Sequence, residues 1–245
     1  MAPVTPVPAA QSLPSPISIS AQELFDAAVH FGHKTYKWNP KMRKYIYGEK
    51  SGVHVFDLQK TAKNFEMALG FLKRLSEEGR VVLFVGTKPQ ATKIVSDEAK
   101  RADMPFVTSK WIPGLLTNYG TLSKRIRYLQ DLKSEYKLNN FEKYTKKEAS
   151  SFKKIIDKLE SSLGGVSNMV RIPDALFVVD VVRDRLAINE ANRMKIPVIG
   201  VVDSNGNPDG ITYVIPGNDD ALRSLQFFSA NVADAILAGK KPKKA

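Results

Sequence analysis

Hydrophobic positions in this chain follow two alternating periods. VVLFVG (81–86), ALFVVD (175–180) and PVIGVVD (197–203) are continuous apolar runs. Their length suits parallel strands covered on both faces. VHVFD (53–57) reads as a further short buried strand, and PFVT (105–108) and ITYVIP (211–216) as two more. Between them, apolar residues recur every three or four positions. LQKTAKNFEMALGFLKRLSEEG aligns Leu58, Ala62, Phe65, Leu69 and Leu72 on one stripe, with Asp57 to cap it and Gly79 to end it. Helices are also expected from Pro89 to Ala102, over RDRLAINEANRMK, and over NDDALRSLQFFSANVADAILAG up to Gly239. Strand–helix–strand order with apolar strands predicts an α/β fold, a doubly wound and mostly parallel sheet with helices on both faces.

The pattern breaks in two places. Ser20 and Glu23 have capping-box spacing and open a helix over AQELFDAAVHF. HFGHKTYKWNPKMRKYIYG (30–48) follows as a loop, with a turn at Asn39-Pro40 and a short strand in RKYIYG. From Tyr119 to Leu163 there is no proline and one glycine, Gly120. Leu122, Ile126, Leu129 and Leu132 form one helical stripe, and Phe152, Ile155, Ile156, Leu159 and Leu163 form a second. KLNNF (137–141) separates them, so the segment reads as a helical hairpin inserted into the sheet domain. The expected organisation is a disordered Pro/Ala/Ser arm (1–18), a first α/β part (19–118), the hairpin (119–165), a second α/β part (166–238) and a basic tail (239–245).

Charge adds a partner class. The chain has 245 residues and a net charge of +12, a balance that favours association with nucleic acid or another acidic surface. Residues 33–50 and 121–165 are each strongly basic, whereas 171–236 is acidic. There is no cysteine, which excludes disulfides, thiolate metal sites and cysteine nucleophiles. No apolar run approaches the roughly 20 residues of a membrane span, and the N-terminus lacks the charged and apolar regions of a secretory signal. A cytoplasmic location is expected, without membrane attachment or homo-oligomer formation.

Parallel sheets of this kind bind ligands at the carboxyl ends of their strands. There, GTKPQATK offers Thr87 and Lys88 to a phosphate at a helix start. It is neither a Walker A loop nor GxGxxG. Asp180 and Asp203 end strands, and Asp219 and Asp220 begin the last helix. Oxygen ligands of this kind suit a structural Mg²⁺, while capping and the helix dipole explain Asp219 and Asp220 equally well. His30, His33 and His54 have no third ligand or catalytic partner near in sequence. His30 reads as a packing residue and His33 as the start of the basic loop.

The basic-aromatic segment carries more. Lys34, Lys37, Lys41 and Arg43, with Lys44, can neutralise phosphates. Tyr36 and Trp38 can stack on bases or anchor the loop, and Asn39 can bond base edges or backbone oxygens. Trp38, Tyr45 and Tyr47 are expected to be partly buried. A similar mix recurs over 108–125, with Lys110, Trp111, Asn118, Thr121, Lys124 and Arg125. The candidate RNA contacts are therefore Lys34, Lys37, Asn39, Lys41, Arg43, Lys88, Lys110, Asn118, Lys124 and Arg125.

HFGHKTYKWNPKM, IYGEKSGVHVFDLQKT, LFVGTKPQA, KWIPGLLTN, PDALFVVD and TYVIPGNDDA occur in this order from about residue 20 to 238. Together they resemble the bacterial-type ribosomal protein S-two family of the small subunit. The chain departs from that pattern in its N-terminal arm, in Lys110 where an arginine is usual, and in VVDVVRDR after the strand ending at Asp180. The resemblance implies a flavodoxin-like sheet with an inserted coiled-coil hairpin. It also implies a place between head and body of the small subunit, held by small-subunit ribosomal RNA beside neighbouring ribosomal proteins, and a part in recruiting ribosomal protein S-one. No catalytic role comes with it. Two other readings stand beside this one: a nucleotide- or phosphometabolite-using enzyme, supported by fold class, Thr87-Lys88 and the aspartates, and an adaptor whose hairpin docks a protein.

Overall fold

A computed structural model of the chain describes residues 18–139, 141 and 143–240. The sequence reading of an arm over 1–18 and a tail over 239–245 lies outside these residues at positions 1–17 and 241–245. The main sheet has five strands: β4 (Val82–Val85), β5 (Phe106–Val107), β6 (Ala175–Val178), β7 (Val198–Val202) and β8 (Tyr213–Pro216). Their order is β5-β4-β6-β7-β8, and every neighbouring pair is parallel. This is the flavodoxin-like order, in which the chain reverses direction across the sheet between β4 and β6.

The two faces of the sheet bury different side chains because residues alternate along each strand. Val82, Phe84, Ala175, Phe177, Ile199 and Val201 point into one apolar layer. That layer is closed by α2 (Leu58–Glu77), α3 (Pro89–Arg101) and α7 (Leu222–Gly239). Leu83, Val85, Leu176, Val178, Val198 and Val202 point into the other. There they meet α6 (Arg185–Arg193) and the root of α4 (Tyr119–Asn139).

The segment after β5 forms a helical hairpin. α4 is followed by α5 (Lys146–Leu163), whose start is fixed by a capping box between Thr145 and Glu148. Leu122, Ile126 and Leu129 root α4 in the second apolar layer. Farther out, Lys133 pairs with Glu160, and Tyr136, Phe141, Tyr144 and Phe152 form an aromatic cluster between the helices.

The N-terminal third differs from the sequence expectation. α1 spans only Ala21–Asp26. Ala28 then takes a left-handed conformation with φ 58°, and the Val29 N–H bonds the Leu24 carbonyl. This turn ends the helix before His30. Residues 31–56 form a separate antiparallel sheet of β1 (Phe31–Lys34), β2 (Ile46–Lys50) and β3 (Val53–Phe56), in order β1-β3-β2. VHVFD is thus no part of the buried parallel sheet; of its strand residues only Phe56 is fully buried. Ser51, at φ 52°, and Gly52, at φ 74°, make the tight turn between β2 and β3. Tyr47, expected to be partly buried, is 83% exposed because it faces away from the core on β2.

Candidate nucleic-acid interface

The basic-aromatic segment is pinned to the carboxyl end of β7. The Asn39 N–H donates to the Ser204 carbonyl at 2.7 Å, and the His33 N–H donates to Ser204 Oγ at 2.8 Å. A Cβ on Gly32 would stand 2.9 Å from that same Ser204 Oγ, so glycine permits the approach. Met42 is fully buried in the second apolar layer, and Trp38 packs on His54 at 5.3 Å between ring centroids. Asn39 caps the short 3-10 helix over Pro40–Tyr45 by accepting from the Lys41 N–H at 3.0 Å.

These anchors leave Lys34, Lys37, Lys41, Arg43 and Lys44 exposed on one short stretch. Lys41 pairs with Asp209, while Lys37 and Lys44 lie over the rings of Tyr36 and Tyr45. Tyr36 is 73% exposed and free to stack, whereas Trp38 and Asn39 are half-buried. Asn39 has its carbonyl engaged in the cap and keeps only its amide for a ligand.

The second basic segment is built on a buried carboxylate. Glu190 of α6 accepts from the Trp111 indole at 3.0 Å and from the backbone N–H groups of Gly114, Leu116 and Thr117 at 2.8, 3.1 and 3.2 Å. Thr117 Oγ1 donates to it as well, at 3.1 Å. Burial acts to raise the Glu190 pKa, but the bonds from Trp111, Gly114, Thr117 and Leu116 outweigh it and hold the carboxyl below its ordinary range. Trp111 is buried, so it anchors the loop and presents no stacking face. Lys110, Asn118, Lys124 and Arg125 are all exposed around this knot. Met42 and Trp111 sit in the same apolar layer, so both basic segments are rooted on one face of the main sheet. Glu190 escaped the sequence reading, although one acid falls on the apolar stripe of Ala187, Ile188 and Ala191.

The crevice at the strand ends is a cavity of about 390 Å³ whose lining charges pair with one another. Lys88 Nζ lies 2.7 Å from Asp219, 2.6 Å from Asp220 and 3.5 Å from Asp180. Lys88 is therefore not an outward phosphate contact; its ammonium stands among the carboxylates that the sequence offered to Mg²⁺. Burial opposes the charge on Lys88, yet the hydrogen bonds it donates to Asp219 and Asp220 and the charges of Asp219 and Asp180 raise its pKa well above the ordinary value. Thr87 is likewise engaged: its hydroxyl donates to Asp184 at 2.8 Å. Asp219 and Asp220 do not start the last helix, because Asn218 Oδ1 accepts from the N–H groups of Asp220 and Ala221 and α7 begins at Leu222.

His33 links the two sheets. Its Nδ1 is 3.0 Å from Asp203 and its Nε2 is 3.5 Å from Asp220. The Asp203 bond raises its pKa against the opposing effect of burial, with help from the charges of Asp203, Asp219 and Asp220. Carboxylates outnumber cations here, and Asp219 responds. Burial first, then the charges of Asp203 and Asp180, push its pKa up to about 7. Burial also pushes Asp184 up to about 6. One atom from each of His33, Asp203, Asp219 and Asp220 lies within 4.8 Å of the others. Asp180 accepts instead from the N–H groups of Val182 and Arg183. His30 stacks on Phe25 at 4.4 Å and meets the tilted ring of Phe31 at 4.0 Å, as a packing residue.

Among the described residues, no helix is long and apolar enough to cross a membrane. The family model described as ribosomal protein S2 matches residues 24–239. The small ribosomal subunit protein uS2 of Hahella chejuensis is 50% identical over 221 residues, 90% of this chain and 87% of the relative. That of Saccharophagus degradans is 47% identical over 222 residues, 91% and 90% of the two chains. By this match and these identities, on a parallel sheet of flavodoxin-like order, the chain belongs to the ribosomal protein S2 family, structural proteins of the small ribosomal subunit and not enzymes.

Proposed function

We propose that the chain binds small-subunit ribosomal RNA at the head–body junction through phosphate contacts made by Lys34, Lys37, Arg43 and Lys44 and by Lys110, Lys124 and Arg125, with Lys41, Asn39 and Asn118 in supporting positions. The observation that carries this reading is the anchoring. Two basic segments far apart in sequence are each held by hydrogen bonds to distant elements, their anchors Met42 and Trp111 pack in the same apolar layer, and their cations are exposed. Rigid presentation lowers the ordering cost of binding. RNA held this way is recognised by its backbone and shape. Lys88 supplies a cation to the strand-end carboxylates and His33 bonds Asp203, and the reading needs no cofactor.

Recruitment of ribosomal protein S-one belongs to the same reading and rests on family membership. Exposed Phe31 and Tyr47 of the small sheet and exposed Phe25 of α1 are consistent with an apolar contact to a neighbour. The test is binding of the full chain to transcribed small-subunit ribosomal RNA over a salt series. Log affinity is expected to fall linearly with log salt, by about 0.7–0.9 per neutralised phosphate. Affinity that is flat in salt removes the proposal.

A further inference from the structure

Asparagine or aspartate precedes glycine at two places, Asn205-Gly206 and Asp209-Gly210, and both lie in the connection between β7 and β8. Such pairs share a reactivity. The glycine nitrogen can attack the side-chain carbonyl carbon and close a succinimide ring, and glycine, lacking a Cβ, puts least bulk in the way. In an unfolded chain at neutral pH the asparagine pair reacts first, because a carboxylate is a poor electrophile.

The fold treats the two pairs in opposite ways. The Gly206 N–H donates to the Asp203 carbonyl at 2.9 Å, so its nitrogen is engaged. Gly206 is buried, and a Cβ on it would stand 2.7 Å from Val202 Cγ1 and 2.9 Å from Val181 Cγ2. Asn205 Oδ1 is itself buried. Little room is left for the amide to swing onto the main chain or for water to follow. Asp209-Gly210 is open. The Ile211 N–H donates to the Pro208 carbonyl at 3.3 Å and closes a turn in which Gly210 has φ 79°. A positive φ at the third position alone makes this turn type II. The Gly210 nitrogen belongs to its central peptide, outside the closing bond, and among the described residues its N–H donates to no acceptor. The Asp209 side chain is 58% exposed, so water reaches the carboxyl group.

We propose that Asp209 is a modification site, at which the side-chain carboxyl closes on the Gly210 nitrogen and reopens as an isoaspartyl linkage. The Gly210 nitrogen bonds to Asp209 Cγ and loses its proton, and the carboxyl hydroxyl leaves with that proton as water. A water then adds to the main-chain carbonyl carbon of Asp209, and the bond from that carbon to the Gly210 nitrogen breaks. The chain now runs through Cγ, one methylene longer, and the carboxylate sits on Cα. No oxidant, reductant or cofactor takes part, and no bound RNA is needed.

Lys41 guards the site through its ion pair with Asp209. Its hydrogen bond and charge, helped by the Asn207 side chain and the charge of Lys44, hold the carboxyl below its ordinary range against desolvation. The hydroxyl leaves from the neutral acid, so a partner that favours the carboxylate slows ring closure. Conversely, isomerisation moves the carboxylate off the side chain and takes from Lys41 its partner at the edge of the basic loop.

The test incubates the full chain at neutral pH as wild type, Lys41→Ala and Asp209→Glu, with urea-denatured wild type alongside. The tryptic peptide 196–223 is then read by electron-based fragmentation, which tells isoaspartate from aspartate. Reaction at Asn205 changes the mass of this peptide, whereas isomerisation at Asp209 does not. Native wild type is expected to gather isoaspartate at 209 with Asn205 intact, and denatured wild type to react first at Asn205. Lys41→Ala should react at 209 at least about twofold faster than wild type, since no ammonium then favours the carboxylate. Asp209→Glu, whose longer side chain closes a ring far less readily, should show no isomer there. Gly210→Ala is no clean control, because its Cβ would stand 2.4 Å from Asn192 Nδ2 at a φ that strains alanine. A native chain that forms no isoaspartate at 209, over a period in which the denatured chain does, overturns the proposal. So does reaction of native Asn205 ahead of Asp209. A Lys41→Ala rate equal to wild type overturns the guarding role.

Discussion

The Trp111 indole N–H donates to Glu190 at 3.0 Å, joining a loop after β5 to a helix after β6. Four further donors from Gly114, Leu116 and Thr117 converge on the same carboxylate. The bond thus fixes the loop that carries Lys110 and Asn118 against the second apolar layer. Removing a buried acceptor strands its donors without water, and each stranded group costs about 1–3 kcal/mol. Glu190→Ala is expected to destabilise the protein by about 3–4 kcal/mol, at the top of the range for single substitutions. Glu190→Gln, which keeps a carbonyl, should cost less. Trp111 emission in the folded state reports whether the indole leaves its site.

Glu190 also sets an acid limit. Its folded pKa lies below the unfolded value, so its contribution is present above about pH 4.5 and is lost as pH falls through the folded pKa. Between pH 5 and 3, thermal midpoints of wild type should fall more steeply than those of Glu190→Gln. Parallel curves would show that Glu190 has no part in acid unfolding.

The strand-end cluster behaves oppositely. Asp219 and Asp184 have folded pKa values near 7 and 6, above the ordinary 3.8. Both protonated forms are favoured by folding, so this stability is present below pH 4 and fades as pH rises through 6 to 7. His33, also raised, loses its share as pH climbs from its ordinary 6.5 through its folded value. The fold is therefore expected to be less stable at pH 8 than the same chain with Asp219→Asn, and the advantage of that variant should shrink at pH 5. Lys88→Met should cost about 3 kcal/mol at pH 8, where it orphans buried carboxylates. At pH 5, where Asp219 takes a proton, it should cost less. Denaturant midpoints at the two pH values decide both statements.

Gly165 lies against the edge strand so closely that a Cβ would stand 2.2 Å from the Phe106 carbonyl oxygen. Since the obstacle is backbone, the connection from α5 to β6 must shift. Gly165→Ala is expected to cost about 2–3 kcal/mol, the range for overpacking. A change within 0.5 kcal/mol would show that this connection yields freely.

The sheet was legible because buried parallel strands announce themselves as unbroken apolar runs, and VVLFV, ALFVV and PVIGVV have no other plausible use. The hairpin stripes and the Ser20 boundary followed from periodicity and capping chemistry, whereas the capping box at Thr145 went unread. The β1–β2–β3 sheet was not legible in the same way. Its strands are short and half-exposed, and α1 stops at a left-handed alanine that carries no glycine or proline to mark it. Lys88 and Glu190 show the same limit in the site. Whether a charged side chain faces phosphate or a buried counter-ion depends on elements more than 70 residues away, so local pattern gave Lys88 the wrong partner and gave Glu190 none.

The central claim is that lysines and arginines on the 34–44 loop neutralise RNA phosphates, and the most direct measurement is the salt slope of K37A/R43A on small-subunit ribosomal RNA. Both side chains are exposed, and neither is in an ion pair among the described residues. The account predicts a loss of about 1.4–1.8 in the slope with weaker binding across all RNA sequences tested. An unchanged slope, in a variant that folds like wild type, would contradict it.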